Sequence, residues 1–562
     1  MKAVTNLPNL RHYGWQLLAV TLTGLFSMAQ LAGRELRVPG AFPSIQAAIN
    51  AARAGDVVMV EPGQYRERLK LRPGIVVRSA GGDVKGQLGL TRAEATILNH
   101  PDGQGPGVTM AEGATLDGFT ITGVGKYDEA LWNKHHATKG NEQKHQHIGE
   151  AGTAGIEVRH SCVVENNIVH HVGYTGIGIT GLKGRKVEPR ITHNICHRNM
   201  GGGIGSMSGS TALIENNTCF ENFFAGIGHN GASPTVRGNL CYGNIRAGIG
   251  ISEGSSPTVT GNRCFKNRRA GIGIRSGSET RPLVADNDCY ENEMAGIGTK
   301  EHARPTIRSN RCFKNKLAGI GCQEHAAPQI EKNTCRENAL AGIGVDGAEA
   351  TITQNRCEAN RTAGIGIRNA GEALIRDNHL VDNALVAVGI RNGSRATLSG
   401  NTLKRKGGMP PLMAVLENSE VVMRNNILRG GGVAAVLLHG TATLTDNEFL
   451  GNGPRKGGAP NFAVWVRAGS SVDFSGNTVE RWRHALHATG AQKVKANGNQ
   501  IRNFLGAGIV AQNTKTPVEA MDNIAYSAVT TDRAVRIEGP AGNVRTNRVE
   551  KPKKTSSKHS QK

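Results

Sequence analysis

The sequence predicts an all-β solenoid in which each repeat is one coil of short parallel strands. The 562 residues include 75 glycines but only 12 phenylalanines, 7 tyrosines and 4 tryptophans, whereas a globular core normally uses bulky aromatic side chains. Seventeen Asn-x-apolar or Asn-x-Cys units recur between Asn167 and Asn547. The stretches between these units contain turns and short apolar strands, with no helical period.

The first element, residues 1–29, is predicted to be a secretory signal peptide. Lys2 and Arg11 precede an apolar run over residues 15–26, and Ser27 and Ala29 supply the small side chains of a cleavage site. About 12 apolar residues are too few to span a bilayer. We therefore expect cleavage after Ala29 and a secreted or periplasmic mature chain without a transmembrane segment.

Residues 151–549 are predicted to form the repeats. An Ala-Gly-Ile-Gly marker runs in step with the asparagines, first at Ala225 and last at Ala363. A unit of about 24 residues cannot bury a core alone, but equivalent residues can stack at an inter-strand spacing of about 4.8 Å. In such a stack each asparagine satisfies its amide against turn backbone and neighbouring asparagines, as amide ladders do.

The pattern Asn-x-apolar-x-x-Asn, followed by a Gly-Ile step, resembles the repeat of the pectin lyase-like superfamily. The resemblance covers about residues 150–549 and implies a single-stranded right-handed parallel β-helix of about 17 coils. Superfolds of this kind host many unrelated activities, so the resemblance is specific for the fold and weak for function.

Residues 38–81 resemble the start of the same superfamily, which implies an N-terminal cap and first coils over residues 34–120. The implied cap is a short helix at 43–52, followed by strands at 57–60 and 65–71. Independent support for the helix comes from Ile45, Ala48, Ile49 and Ala52, which share one helical face.

Eight of the ten cysteines lie in register, each two residues after a repeat asparagine. An even number of cysteines in an exported protein normally suggests disulfides. Stacked side chains, however, keep their Cβ atoms about 4.8 Å apart, which is longer than a disulfide requires. We predict a column of buried reduced thiols, and the alternative is a line of Cu(I) ligands. Outside this column, Cys322 replaces a core isoleucine and Cys162 is the thiol to test for reactivity.

Residues 121–150 are predicted to be a histidine-rich loop insertion, because the coil pattern breaks there. One interpretation is a transition-metal site for copper or zinc formed by His135, His136, His145 and His147. The other is a solvated basic loop that needs no ligand. The candidate catalytic residues in the same region are the following: Lys126, Tyr127, His160, His170 and His171.

The formal net charge of +22 is divided between two features. Residues 550–562 are predicted to be a flexible basic tail. Arginine columns on the coils indicate either an ordinary solvated surface or a surface that binds an extended polyanion. Their members are Arg263, Arg311 and Arg356 in one column and Arg275, Arg368 and Arg391 in another.

Three functions remain open. The first is binding or processing of an anionic polysaccharide or envelope polymer along the solenoid surface. If the protein is an enzyme, the superfamily implies a polysaccharide lyase, a glycoside hydrolase or a uronate epimerase, although neither clustered aspartates for Ca²⁺ nor paired carboxylates are visible. The second is copper handling in the periplasm, because the repeats resemble those of the β-helical accessory proteins of nitrous oxide reductase. The third is a structural envelope role. We expect no nucleic-acid partner.

Overall fold

The chain winds through three parallel β-sheets, and each coil passes through the first, second and third sheet in that order. The computed structural model describes residues 33–100, 104–138, 153–454 and 458–552. Each strand pairs in parallel with the equivalent strands of the neighbouring coils, so that Cys264 is in register with Cys241 and Cys289. The predicted all-β parallel solenoid is confirmed.

The described part of the first sheet contains 21 strands. Their bounds are Glu35–Val38, Val57–Val60, Val76–Ser79, Thr115–Asp117, Val163–Glu165, Arg190–Thr192, Leu213–Glu215, Thr235–Arg237, Thr258–Thr260, Leu283–Ala285, Thr306–Arg308, Gln329–Glu331, Glu349–Thr353, Glu372–Arg376, Arg395–Ser399, Glu420–Arg424, Thr441–Thr445, Ser471–Ser475, Lys493–Asn497, Val518–Met521 and Ala541–Arg545.

The second sheet contains 20 strands in the same ranges. Their bounds are Gly63–Tyr65, Thr96–Asn99, Thr120–Thr122, Ile168–His170, Ile195–His197, Thr218–Phe220, Leu240–Tyr242, Arg263–Phe265, Asp288–Tyr290, Arg311–Phe313, Thr334–Arg336, Arg356–Glu358, His379–Val381, Thr402–Arg405, Ile427–Gly430, Glu448–Leu450, Thr478–Glu480, Gln500–Arg502, Ile524–Tyr526 and Arg548–Glu550.

The third sheet contains 19 described strands, and three short helices in the described ranges lie outside the sheets. The strands are Leu69–Lys70, Val108–Thr109, Ile156–Val158, Ile177–Thr180, Ile204–Met207, Ile227–Asn230, Ile249–Ser252, Ile272–Ile274, Ile297–Thr299, Ile320–Gln323, Ile343–Asp346, Ala363–Arg368, Val386–Ile390, Met413–Val415, Ala434–Leu438, Phe462–Val466, His484–Thr489, Ala507–Gln512 and Arg533–Glu538. The helices are Ile45–Ala51, Thr91–Ala95 and Glu129–Ala137.

The solenoid has more coils than the 17 counted from the asparagine repeat, because coils before Asn167 lack that asparagine. In the preceding coil the equivalent position holds Phe119, whose backbone N–H donates to Asn167 Oδ1 at 3.0 Å. The first strand, Glu35–Val38, pairs directly with Val57–Val60. The asparagine repeat therefore marks only the later coils.

The predicted N-terminal helix is present over Ile45–Ala51. The Ser44 side chain caps it by accepting from Ala47 N, and the backbone N–H groups of Ile45 and Gln46 donate to the Glu67 carboxylate, each at 2.9 Å. Ile45, together with the remaining apolar residues of this face, is buried against the first coils. The helix therefore closes the apolar end of the solenoid, which would otherwise contact water.

Two asparagine ladders run inside the corners of the coils. The predicted ladder lies between the first and second sheets, where each side chain accepts from the amide and the Nδ2 group of the asparagine one coil earlier. A second ladder, not predicted, lies between the second and third sheets. Its members are Asn199, Asn222, Asn244, Asn267, Asn292, Asn315, Asn338, Asn360 and Asn383.

All ten cysteines are free and buried, as the thiol-column prediction requires. Leu380 and Leu403 continue the column after Cys357, so the position serves packing. Cys162 lies outside the column but is buried too, and burial near Glu112 raises the pKa of its thiol to about 12. It therefore lacks the accessible thiolate that reactivity requires.

Candidate functional site

The segment predicted as a histidine-rich loop contains the helix Glu129–Ala137, which lies along the corner between the second and third sheets. The Asp128 carboxylate begins the helix by accepting from Leu131 N at 2.9 Å. Trp132 anchors it, because its indole Nε1 donates to Glu221 O at 2.9 Å. Nine residues rise about 14 Å, which matches the length of three coil spacings.

An apolar cluster outside the coils holds this helix in place. Trp132 packs on side chains from three successive coils: Met200, Phe223 and Ile245. Later coils place polar residues such as Glu293 and Lys316 at the same position of the turn. Three coils have an apolar residue where later coils have polar residues such as Glu293 and Lys316. This difference is the sequence signal that could have predicted the helix.

The predicted metal ligands in this helix have different surroundings. His135 is buried edge-on against Phe223, with ring centroids 5.3 Å apart. His136 stacks on Trp132 at 4.8 Å, and its Nε2 lies 2.8 Å from an Arg268 nitrogen. Burial lowers the pKa of His136.

The other two predicted ligands, His145 and His147, lie outside the described residues. Within the described ranges no group of three or more His, Cys, Asp or Glu side chains is arranged to hold a metal ion. The surroundings of His135 and His136 in this part of the chain are those of packed side chains.

Three of the predicted catalytic residues lie together beside the helix. The Tyr127 ring meets His171 edge-on at 4.6 Å, and the Nδ1 atoms of His171 and His170 are 2.7 Å apart. Burial raises the pKa of Tyr127 and lowers that of His170 to about 4. Burial therefore favours the neutral forms of the phenol and the imidazoles, and the two contacting ring nitrogens share one hydrogen bond.

The remaining catalytic candidates are not part of this cluster. Lys126 is exposed, and His160 lies on another corner, where its Nδ1 is 3.6 Å from the Glu112 carboxylate. Arg198 joins the cluster without having been predicted, because its guanidinium covers the Trp132 ring at 4.1 Å and pairs with Glu129 at 2.9 Å.

An aromatic column on the outer face of the second sheet was not predicted. It uses the third residue of successive strands, and neighbouring ring centroids are 4.7 to 5.1 Å apart. The guanidinium of Arg336 covers its last ring at 4.8 Å. Because the ring faces contact one another, the column stabilises the sheet and presents mainly ring edges to solvent. Its members are His170, His197, Phe220, Tyr242, Phe265, Tyr290 and Phe313.

The outer face of the third sheet has a glycine floor. Ten successive strands place a glycine at the same register position, from Gly178 to Gly389, and nine coil spacings give this strip a length of about 43 Å. At Ala414 and Leu437 side chains return to this position. The floor is therefore a flat strip of backbone that a long polymer can approach closely.

Three arginines converge beside this floor. Arg246 stacks on Phe224 at 4.3 Å, and its pKa is lowered to about 10 by burial and by the charges of Arg269 and Arg275. Burial and Arg275 lower the pKa of Arg269 as well. We call Arg246, Arg269 and Arg275 the arginine cluster.

Three members of the predicted arginine columns are paired with carboxylates of the chain itself. Such exposed pairs contribute little to stability, but they reduce the charge available to a partner. The pairs are Arg311 with Asp288, Arg356 with Glu358 and Arg368 with Asp346. The predicted cationic surface therefore does not extend evenly along the rod.

The comparisons with known proteins agree with the three-sheet solenoid. The model of the family described as "Right handed beta helix region" matches residues 135–288 and 329–479, which is more than half of the chain. The model of the periplasmic copper-binding protein NosD matches residues 258–388. No curated protein matches the chain. None of the described helices is long and apolar enough to cross a membrane.

Three of the similar solved structures have different descriptions. The A-module of mannuronan C-5 epimerase AlgE6 from Azotobacter vinelandii has 17% identity and a TM-score of 0.42 over 65% of this chain and 95% of its own. The catalytic unit of a GH87 alpha-1,3-glucanase from Streptomyces thermodiastaticus has 13% identity and a TM-score of 0.34 over 68% and 65%. Bacteriophage phi29 gene product 12 has 11% identity and a TM-score of 0.36 over 88% and 70%.

Proposed function

The chain belongs to the right-handed β-helix family, and we propose that it is an exported member that binds an anionic polysaccharide along the outer face of its third sheet. The glycine floor carries this proposal, and the arginine cluster beside it adds positive charge. Guanidinium groups form planar, paired hydrogen bonds with carboxylates, which are the anions of uronic acid polymers.

The glycine floor supports an extended ligand. At Gly250 and Gly273 an added Cβ atom would meet only the Cβ atoms of Ala225 and Ala247 among the described residues, at 3.6 Å each, so only small side chains border the floor there. The coil rise is close to the repeat of a 1,4-linked hexuronan. Successive sugars can therefore occupy equivalent positions on successive coils, with one carboxylate held by the arginine cluster.

The test is retention of the mature protein on immobilised polygalacturonate and on immobilised dextran as a neutral matrix. Because the whole chain is strongly basic, retention on polygalacturonate alone does not distinguish a site from general attraction. We therefore compare a triple Arg→Gln variant of the arginine cluster with a variant in which Arg376, Arg424 and Arg545, exposed on the first sheet, become glutamine.

Both variants lose three charges. The proposal expects the cluster variant to elute at clearly lower salt, since removing bound cations reduces the salt dependence of polyanion binding, and the first-sheet variant to elute close to the parent protein. Equal decreases in the eluting salt concentration of the two variants would mean that net charge alone explains retention, which would overturn the proposed site. Nuclear magnetic resonance of the polymer after incubation separates binding from processing, because unsaturated ends or altered uronate configuration require catalysis.

Copper handling is the second candidate function, favoured by the match of residues 258–388 to the model of the periplasmic copper-binding protein. That stretch contributes Cys264, Cys289, Cys312, Cys335 and Cys357 to the thiol column, and thiolates are preferred ligands of Cu(I). The test is copper content of the reduced protein after anaerobic incubation with Cu(I). Stoichiometric copper that is lost in a His145→Ala/His147→Ala variant would assign it to the insertion, and metal-free protein would remove this candidate.

A further inference from the structure

We propose that an exposed apolar ridge on the corner between the second and third sheets docks on an anionic lipid surface. The ridge consists of equivalent residues of five successive coils: Met294, Leu317, Leu340, Thr362 and Leu385. Their backbones are joined by hydrogen bonds of 2.9 to 3.2 Å along the rod. The four apolar side chains are 38% to 53% exposed, and four coil spacings give the ridge a length of about 19 Å.

The ridge begins where the helix Glu129–Ala137 ends. The helix covers this corner at Phe223 and Ile245, and His136 in its last turn reaches Arg268, in the coil before Met294. Within the part of the chain that the structure describes, the corner is therefore covered in the earlier coils and exposed along the ridge. A contiguous exposed apolar strip of this kind normally marks an interaction surface.

The charges beside the ridge select the partner. Lys316 and Arg361 are exposed and adjoin ridge residues in the chain, and Arg391 is exposed beyond the neighbouring strand. Of the nearby acids, Glu337 is paired with Arg336 and lies 4.0 Å from Lys314, and Glu293 precedes Met294 at the end of the ridge nearest the helix. The leucine side chains flanked by cations fit the boundary between anionic headgroups and acyl chains.

A second copy of the chain fits the ridge less well. Two ridges packed on each other would bring their Lys316 and Arg361 side chains together, and like charges across an interface are unfavourable. The convex position on a corner also suits insertion into a lipid surface more than enclosure of another protein segment.

The experiment is sedimentation of the mature protein with vesicles of phosphatidylglycerol and phosphatidylcholine, and with phosphatidylcholine alone. The test variant is Leu317→Ser/Leu340→Ser. The native Thr362 shows that a polar side chain is compatible with this position of the coil. The matched control is Leu88→Ser/Leu416→Ser, whose leucines are 40% and 39% exposed away from the ridge.

We expect the parent protein and the control to sediment with anionic vesicles and the ridge variant to bind about tenfold more weakly, because two inserted leucines are lost. Equal binding by the two variants would refute the ridge, as would a parent protein that stays in solution. If the ridge variant keeps vesicle binding but elutes earlier from polygalacturonate, the ridge belongs to the polysaccharide surface and the lipid proposal fails. Circular dichroism checks that both variants remain folded.

Discussion

Replacing Asn310 by alanine is expected to destabilise the middle of the rod by about 4 kcal/mol. The Asn310 side chain makes five hydrogen-bond contacts, but its Nδ2 group has only two hydrogens for three acceptors, so the contacts amount to about four bonds. Its Nδ2 group donates to Val284 O, Arg308 O and Asn333 Oδ1 at 2.9 to 3.0 Å, and its Oδ1 accepts from the amide and the Nδ2 group of Asn287 at 3.0 and 2.9 Å. A net contribution of about 1 kcal/mol for each bond gives this total.

Hydrogen exchange measured by mass spectrometry is the appropriate assay. A solenoid couples only neighbouring coils, so weakening one coil opens the chain locally and a single melting temperature would average over unaffected coils. We expect amide exchange of peptides that contain Asn287 and Asn310 to accelerate by about a thousandfold, since each 1.4 kcal/mol corresponds to a factor of ten. Peptides from the first coils serve as an internal reference.

The control is Asn392→Gly, because Asn392 has a φ of 55° and alanine would add backbone strain at this position. Asn392 is also in a ladder-like contact, with its Nδ2 group 2.9 Å from Asn369 Oδ1, but the pair is exposed. Water replaces such a bond at little cost, so we expect a change below about 0.5 kcal/mol. If the two substitutions accelerate exchange to the same extent, burial of the amide ladder is not what stabilises the coils.

Three further predictions concern the core. Gly296→Ala should prevent normal coil stacking, because the new Cβ would lie 2.7 Å from Gly319 O, whereas Gly298→Ala should leave the melting temperature nearly unchanged, since its nearest contact would be Ala270 Cβ at 3.7 Å. His229→Ile should remove about 2 kcal/mol of the unfolding free energy that the parent protein loses when the pH is lowered from 7 to 5, as measured by urea unfolding. Burial lowers the pKa of His229 to about 3. Its neutral form therefore contributes full stability only above the unfolded-state pKa of about 6.5, and this contribution is lost as the pH falls. An unaltered pH profile in the variant would contradict this reasoning. Finally, Ellman's reagent should detect no thiols in the native protein and ten after denaturation, and rapid labelling of native Cys162 would contradict its burial.

The repeat was readable from the sequence because each coil contributes the same small set of residues at the same positions. Asn, Cys and Ile recur at fixed offsets, and those offsets already specify which side chains point inwards. The cap helix was readable for the same reason, since Ile45, Ala48 and Ile49 follow a helical period. Local periodicity was sufficient wherever the structure itself is periodic.

The site features depend on contacts between positions that differ from coil to coil. The helix Glu129–Ala137 forms because Met200, Phe223 and Ile245 replace polar turn residues in only three coils, and single substitutions in a repeat resemble ordinary variation. The arginine cluster joins Arg246 and Arg269, which precede a strand, to Arg275, which follows one. These arginines occupy different positions of the coil repeat, so the sequence pattern does not group them. Their charges come close only because the glycine floor between them is narrow.

The aromatic column illustrates a different difficulty. Aromatic residues are few across the whole chain, yet one line contains Phe220, Tyr242, Phe265, Tyr290 and Phe313. Overall composition averages over all positions of the coil, whereas a solenoid can repeat one residue type at a single position in successive coils. Counting residue types by offset within the coil would have revealed the column.

The amide ladder also bears on how such a chain can change length during evolution. Asn447 and Asn477 are 30 residues apart, against 22 for Asn477 and Asn499, yet both Nδ2 to Oδ1 distances are 3.1 Å. The ladder therefore responds to the stacking of coils and not to the number of residues between them. Duplication or deletion of a whole coil would rejoin the same bonds, and insertions between strands would leave them intact. A gene encoding such a ladder can lengthen its rod or acquire new surface loops in single steps, without compensating substitutions in the neighbouring coils.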